Sequence, residues 1–519
     1  MFKYLFAWNA WLIIKLPLTL IAFRILFVMV RFVVGMNLRK KHYSAQNIEM
    51  VTFMRGDKTS RIAEAQTDPV GPLREAIKKD KDAKAFLLQL GPIQTLCLVD
   101  SAYIKAFSDK LLVDFDRLDS QKTFELLMKR TISGLNGEDY KLHRKIFSNG
   151  FNLDTFEKNL PQCQKITSEI LESLADKAGG VIDAKKELRQ VFSGIISQNF
   201  FGENIDQGFI GRQSAYQFRL SLFNQLFMVC YNPLVMIFGS GIVKRGLLKP
   251  HRNFMENITK YYGYLQKKIE EKRAQFEKQT DSKGPCILEY FLNAQKEFPE
   301  KKAILDDESI AGEFLTLLYY GNNTEALLIA ETLYCLALYP DLHAELVREI
   351  QKHIPDGKVT SISQLNKLEL MHSTLKEVLR LFAPVGITVR QAQRDTEILD
   401  IKVRKGDYVG VGIQANNSNP KYWDDPEKFN PKRFMKESSS LNKEPFAFLS
   451  FSYGRDCVGQ QVALIYAKLV LTTFLTMFDF KLTEGYKMQL TFELLYEPVN
   501  PIKLILKRKG DGDVDTTSH

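Results

Sequence analysis

Residues 451–459 read Phe-Ser-Tyr-Gly-Arg-Asp-Cys-Val-Gly, and an almost unbroken apolar run follows from Val462 to Phe474. The glycines free the backbone for a tight turn. The run is too long for a strand and predicts a helix buried on most of its sides. Cys457 therefore falls at or just before a helix N-terminus, where unpaired N–H groups and the helix dipole favour a thiolate. A free cysteine is often simply a small buried apolar residue. A thiolate held in this position is also a good soft-metal ligand. With no second ligand nearby, it suits a metal that arrives with its other ligands in place, as haem iron does.

The other cysteines sharpen that choice. Cys97, Cys163, Cys230, Cys286 and Cys335 are widely separated and form no Cys-x-x-Cys pair. This argues against a zinc site or a disulfide framework and fits a reducing, cytosol-facing environment. The 519 residues are enough for several domains of common size, yet no linker divides them. The net charge of +10 is spread along the chain with no long basic run. Nucleic acid is a poor partner for such a pattern; anionic lipid or an acidic redox protein is a better one.

Residues 2–36 are apolar and aromatic, interrupted by Lys15, Arg24 and Arg31. They predict a membrane anchor whose charges reach toward the interfaces. Arg39, Lys40 and Lys41 follow, which places the rest of the chain on the cytosolic side. Residues 37–75 read as a polar connection. Two short strands are expected from Ala85 to Val99, turning at Gly91-Pro92. Asp100 and Ser101 offer a cap for a helix over Ala102–Phe107. Residues 155–277 read mainly as helices, with Phe209–Phe238 rich in Phe, Leu and Met. Lys278–Pro285 reads as a surface loop, Asp395–Gly412 as a hairpin around Lys405-Gly406, Phe480–Lys507 as strands with a tip at Leu494–Pro498, and Lys509–His519 as a charged tail.

Four further stretches carry chemistry. Asn136-Gly-Glu-Asp-Tyr-Lys-Leu-His-Arg144 opens a helix on which Tyr140 and Arg144 share a face. Asp307–Leu338 predicts one long helix stopped near Pro340. In its middle stands Tyr320-Gly-Asn-Asn-Thr-Glu325. A mid-helix glycine costs about 1 kcal/mol relative to alanine, so Gly321 calls for a kink, close packing, or a distorted turn at a ligand. Leu365–Leu381 predicts a helix on which Glu377 and Arg380 can pair. Asp425-Pro-Glu-Lys-Phe-Asn-Pro-Lys-Arg433-Phe brings a second arginine.

In order and spacing, Tyr-x-x-x-Arg, Gly-x-x-Thr, Glu-x-x-Arg, Lys-Arg-Phe and Phe-x-x-Gly-Arg-x-Cys-x-Gly resemble the motifs of the cytochrome P450 family. Phe451 and Gly454 stand one position closer to the cysteine than in the family pattern. Tyr140 replaces a tryptophan, Asn323 an acid, and Tyr320 a small residue.

The resemblance implies a mainly α fold with small β-sheets. It divides the chain into an anchor (1–36), a connection (37–75), a haem domain (76–508) and a flexible tail (509–519). It implies haem b on Cys457, with Arg455, Arg390, Arg144 and Tyr140 at the propionates and Phe451 and Gly459 shaping the loop. Thr324, Asn323 and Gly321 would form the oxygen-activation segment. Glu377, Arg380 and Arg433 would form a structural ion triad. The implied activity is monooxygenation of an apolar small molecule at the endoplasmic reticulum membrane, with electrons from NADPH-cytochrome P450 reductase, cytochrome b5 being a second donor. Two other roles fit the same cysteine: a haem-thiolate isomerase of peroxides, and a non-catalytic haem-binding sensor.

Overall fold

The computed structural model describes residues 33–52, 70–90, 93–117, 126–177, 180–230, 240–278, 286–436, 444–492 and 495–509, with positions 30, 68, 232 and 235 between them. The first principal elements are helix α1 (33–44), strand β1 (Met50–Thr52), α2 (Gly71–Lys79), β2 (Ala85–Leu90), β3 (Ile93–Leu98), α3 (Ser101–Lys110) and β4 (Phe115–Asp116). Helices dominate the middle: α4 (Gly137–Gly150), α5 (Leu153–Ala175), β5 (Val181–Asp183), α6 (Ala184–Phe201), α7 (Ala215–Cys230), α8 (Lys249–Phe276), α9 (Ile287–Glu297), α10 (Asp307–Leu338), α11 (Pro340–His353) and α12 (Glu369–Leu381). The last third holds β6 (Thr388–Ala392), β7 (Thr396–Ile398), β8 (Ile401–Val403), β9 (Tyr408–Val411), α13 (Gln460–Met477), β10 (Phe478–Leu482), β11 (Leu490–Phe492), β12 (Tyr496–Pro498) and β13 (Lys503–Arg508).

Local chemistry sets these boundaries. The Asp100 carboxylate accepts the Ala102 N–H at 2.9 Å and starts α3. Asp306 caps α10 through the Ser309 N–H at 2.8 Å. At the other end α10 gives way at Tyr339, and Pro340 begins α11, where a missing N–H costs nothing.

The largest sheet runs β1-β2-β3-β9-β6-β4. β1 is parallel to β2 and β3 to β9; the other neighbours are antiparallel, with Arg390 opposite Val409. A separate three-stranded sheet runs β10-β13-β5.

Two apolar clusters make most of the core, and α10 belongs to both. Ile310, Phe314 and Leu318 pack with α4, α7, α8 and α9. Ala326, Ile329 and Leu333 pack with α5, α6, α12 and α13. Tyr320–Glu325 lies at the seam between them. Gly321 permits a close crossing there: a Cβ would stand 3.0 Å from Ile196 Cδ1 of α6. The helix runs through this segment without a break, and close packing on α6 gives the glycine a structural reason.

The structure differs from expectation in several places. Residues 37–75 are more than a connection, since β1 joins the main sheet and Arg39 Nε donates to Asp407 Oδ1 at 2.9 Å. The hairpin of 395–412 turns at Leu399-Asp400, where Leu399 has φ of 52°. Lys405-Gly406 instead carries the chain from β8 into β9, which pairs with other strands. The helix expected over Leu365–Leu381 is two, Ile362–Asn366 and Glu369–Leu381. Residues 1–29, most of the expected anchor, lie outside the described residues, as do 279–285 and 510–519. Among the described residues one helix, α13, is long and apolar enough to cross a membrane; 72% of it is buried inside the protein, so its composition is that of a core helix.

Candidate active site

The loop before α13 is held tightly. Ser452 and Gly454 take left-handed φ values of 69° and 67°. A Cβ on Gly454 would meet Ser108 Oγ at 2.6 Å and Leu111 Cδ1 at 2.8 Å, so only glycine fits against the end of α3. The Cys457 N–H donates to the Phe451 carbonyl at 2.9 Å, closing the turn. The Phe451 ring packs on the core beside Phe448. Gly459 sits at the N-cap of α13, and its N–H points to the Cys457 sulfur.

Of the cysteines with described side chains, Cys457 alone is exposed. Protein nevertheless surrounds it on most sides, the combination expected of a sulfur that faces an interior space and not bulk solvent. Burial pushes the thiol up, the Gly459 N–H and Arg144 pull it down, and Glu325 and Asp456 push it up again. A bound metal cation would favour the thiolate strongly, because coordination deprotonates a thiol outright.

Three guanidiniums face one another beside this loop. Arg390 comes from β6, Arg455 from the loop itself, and Arg117 from the end of β4. The Nε atoms of all three are buried without a hydrogen-bond partner among the described residues. Burial and the like charges of Arg390 and Arg455 push Arg117 down to about 9, with Tyr320 and Tyr140 pulling the other way. Burial, then Arg390, also lowers Arg455. Arg455 is aimed by Asn136, whose Oδ1 accepts from Nη2 at 2.9 Å, and its guanidinium lies 4.3 Å from the Tyr140 ring centre. Clustered guanidiniums with orphaned buried donors call for an anion with planar oxygens. Arg144 stands differently: it donates to the Asp456 carbonyl at 2.6 Å and to its carboxylate at 3.3 Å, tying α4 to the cysteine loop.

Sequence reasoning missed Arg117 and Asn136. Arg117 follows a two-residue strand with no motif around it, and nothing in the chain marks it. Asn136 stands at the N-cap of α4 without a side-chain cap bond; its oxygen serves Arg455 instead. His143 was also unmarked. It donates from Nε2 to the Ile304 carbonyl at 2.9 Å and meets Glu313 Oε1 through Nδ1 at 2.5 Å, pinning α4 against α10.

On α10, every residue from Ser309 to Leu333 is buried except Leu317, Tyr320, Gly321 and Thr324. These four recur at helical spacing and form one face. Tyr320, 39% exposed, is enclosed by protein and influenced by Arg117 and Arg390, so this face borders the interior space near the arginines. The Thr324 hydroxyl donates to the Tyr320 carbonyl at 2.8 Å. Asn323 is buried, its Nδ2 donating to the Tyr319 carbonyl at 2.7 Å. Glu325 is buried off this face; burial raises its pKa well above the usual carboxylate range.

Behind the loop, Arg380 clasps Glu377 with two bonds of 2.8 Å, both residues being fully buried. Arg433 Nε lies 3.4 Å from Glu377 Oε1. Arg380 also donates to the carbonyls of Asn417 at 3.0 Å and Pro426 at 2.7 Å. The trio thus binds α12 to the segment that leads toward the cysteine loop.

A soft sulfur on the same loop as Arg455, and a cluster of guanidiniums whose buried Nε atoms have no partner among the described residues, fit an iron porphyrin with carboxylates on its edge. Comparisons with known proteins agree. The cytochrome P450 family model matches residues 78–506. The chain is 26% identical to cytochrome P450 72A397 of Kalopanax septemlobus, over 85% of each chain. It is 26% identical to cytochrome P450 3A6 of Oryctolagus cuniculus, over 74% of this chain and 77% of that one. The crystal structure of the cytochrome P450DA haem domain superposes with a TM-score of 0.75 at 19% identity, covering 89% of this chain and 98% of that one. The sulfur, the arginines, the helical fold and a match across most of the chain lead to one assignment: this protein belongs to the cytochrome P450 family of haem-thiolate monooxygenases.

Proposed function

We propose that the protein inserts one oxygen atom of O2 into an apolar organic substrate, using electrons from a separate NADPH-dependent reductase. The observation that supports this best is the exposed Cys457 sulfur on the loop that also carries Arg455, whose guanidinium is clustered with those of Arg117 and Arg390. Haem b held there would supply oxygen activation, with the Cys457 thiolate as its protein ligand. The remaining work falls to side chains. Arg117, Arg390 and Arg455 would hold the carboxylates of the cofactor, with Tyr140 backing Arg455. Arg144 and Asp456 keep the cysteine loop against α4. Phe451 and Gly459 set the loop and the N–H that faces sulfur. Thr324 holds a hydroxyl proton on the open face of α10. Gly321 lets the helix approach α6, and Asn323 steadies the turn that carries Thr324. Glu377, Arg380 and Arg433 fix the scaffold behind the loop.

Residues 1–36 act as a membrane anchor, and the domain faces the cytosol at the endoplasmic reticulum. The exposed Val33, Val34 and Leu38 of α1 support an apolar lead-in from that segment. Cytochrome b5 is a second electron donor on this reading. The test is turnover of candidate apolar substrates with NADPH, a reductase and isotopically labelled O2. Label in the product supports the proposal; unlabelled product contradicts it.

One observation favours a second reading. Asn323 stands where the family has an acid, and its amide is bonded into its own helix. A haem-thiolate isomerase of peroxides needs no such acid. Rearranged product formed from a hydroperoxide without NADPH selects that activity.

A further inference from the structure

The open face of α10 carries one aromatic side chain. Leu317, Gly321 and Thr324 are partly covered, whereas Tyr320 is 39% exposed within an enclosure of protein. Its backbone carbonyl accepts the Thr324 hydroxyl at 2.8 Å, so the residue stands one turn before that threonine on the same face. On its other flank the buried Tyr319 ring packs edge-on, centroids 5.0 Å apart. Tyr319 in turn lies between Phe223 and Phe227 of α7, at 5.3 and 6.1 Å. Retreat of the Tyr320 ring into the core is thus blocked by a filled aromatic layer, and interiors packed at native density do not yield to a ring. Next to it, a Cβ on Gly321 would stand 3.0 Å from Ile196 Cδ1, so α10 and α6 are closely packed here.

We propose that Tyr320 is the specificity-determining residue of this site: its ring narrows the approach to the reacting centre, so that slender, unbranched apolar chains pass and broad or branched ones do not. This rests on the reading that the interior space takes haem. The proposal concerns the ring and not the hydroxyl, which makes no hydrogen bond among the described residues. It follows that phenylalanine at 320 keeps the selection and alanine removes it.

The experiment titrates the ferric holoprotein with imidazole and with 4-phenylimidazole, following the Soret band, in wild type, Tyr320→Phe and Tyr320→Ala. These probes bind the iron and need no turnover. Haem content and the carbon monoxide spectrum of the reduced protein confirm that each variant is loaded. Tyr320→Ala is expected to tighten 4-phenylimidazole at least tenfold while imidazole changes by less than threefold. Tyr320→Phe is expected to keep the wild-type ratio within threefold. A ratio unchanged in Tyr320→Ala overturns the proposal, and so does a Tyr320→Phe that behaves like alanine. Wild-type protein that takes no haem overturns the underlying site reading, and the proposal with it.

Discussion

Single residues decide whether this scaffold holds its cofactor. Arg117 is the test case, because no sequence motif pointed to it. Hydrogen bonds to charged groups contribute about 1.5–3 kcal/mol. Arg117→Ala is therefore expected to speed haem loss to an acceptor protein by about tenfold or more. Equal rates in variant and wild type would remove Arg117 from the site. Gly454 is a second case. Its φ of 67° and the nearness of Ser108 and Leu111 leave no room for a methyl group. Gly454→Ala should cost about 1–3 kcal/mol of strain, seen as a lower denaturation midpoint. Cys457 and Gly454 were legible because glycines beside a lone cysteine form a local pattern. Arg117 was illegible because its importance comes only from three strands and loops meeting in space.

At the scale of elements, the legible parts are those fixed by neighbours in the chain. Asp100 capping α3 and the apolar length of α10 were read from sequence because cap and periodicity are local. The turn at Leu399-Asp400 was missed. A leucine at positive φ is not a turn signal, whereas Lys405-Gly406 looks like one. Pairing of β9 with β3 and β6 fixes that register from outside the segment. The ion trio behind the loop is legible in residue type but not in strength. Glu-x-x-Arg on an exposed helix contributes little, but here Glu377 and Arg380 are fully buried. Glu377→Ala strands Arg380 and should destabilise the fold by about 3–5 kcal/mol. A denaturation curve within 1 kcal/mol of wild type, taking about that as measurement error, would show the trio to be ornamental.

The whole molecule adds a dependence on pH. Burial, with help from Lys468 and Lys376, pushes His372 down to about 4 from its usual value of 6.5. Between these values the unfolded chain binds a proton that the folded chain refuses. Stability therefore rises with pH across this window and is lost as pH falls from about 6.5 to about 4. His372→Gln should flatten that part of the stability profile; an unchanged slope would rule His372 out as a contributor. The molecule also explains why the polar break in α10 is tolerated: it lies where two apolar cores meet, and its open face borders the interior space. The claim on which everything else depends is a bond from the Cys457 sulfur to haem iron. Its most direct test is the carbon monoxide spectrum of the reduced holoprotein, wild type against Cys457→His. Wild type should show the red-shifted Soret band of a thiolate-ligated haem, and the histidine variant should lose it while still binding porphyrin. The same band in both proteins, or in neither, would contradict the assignment of that ligand.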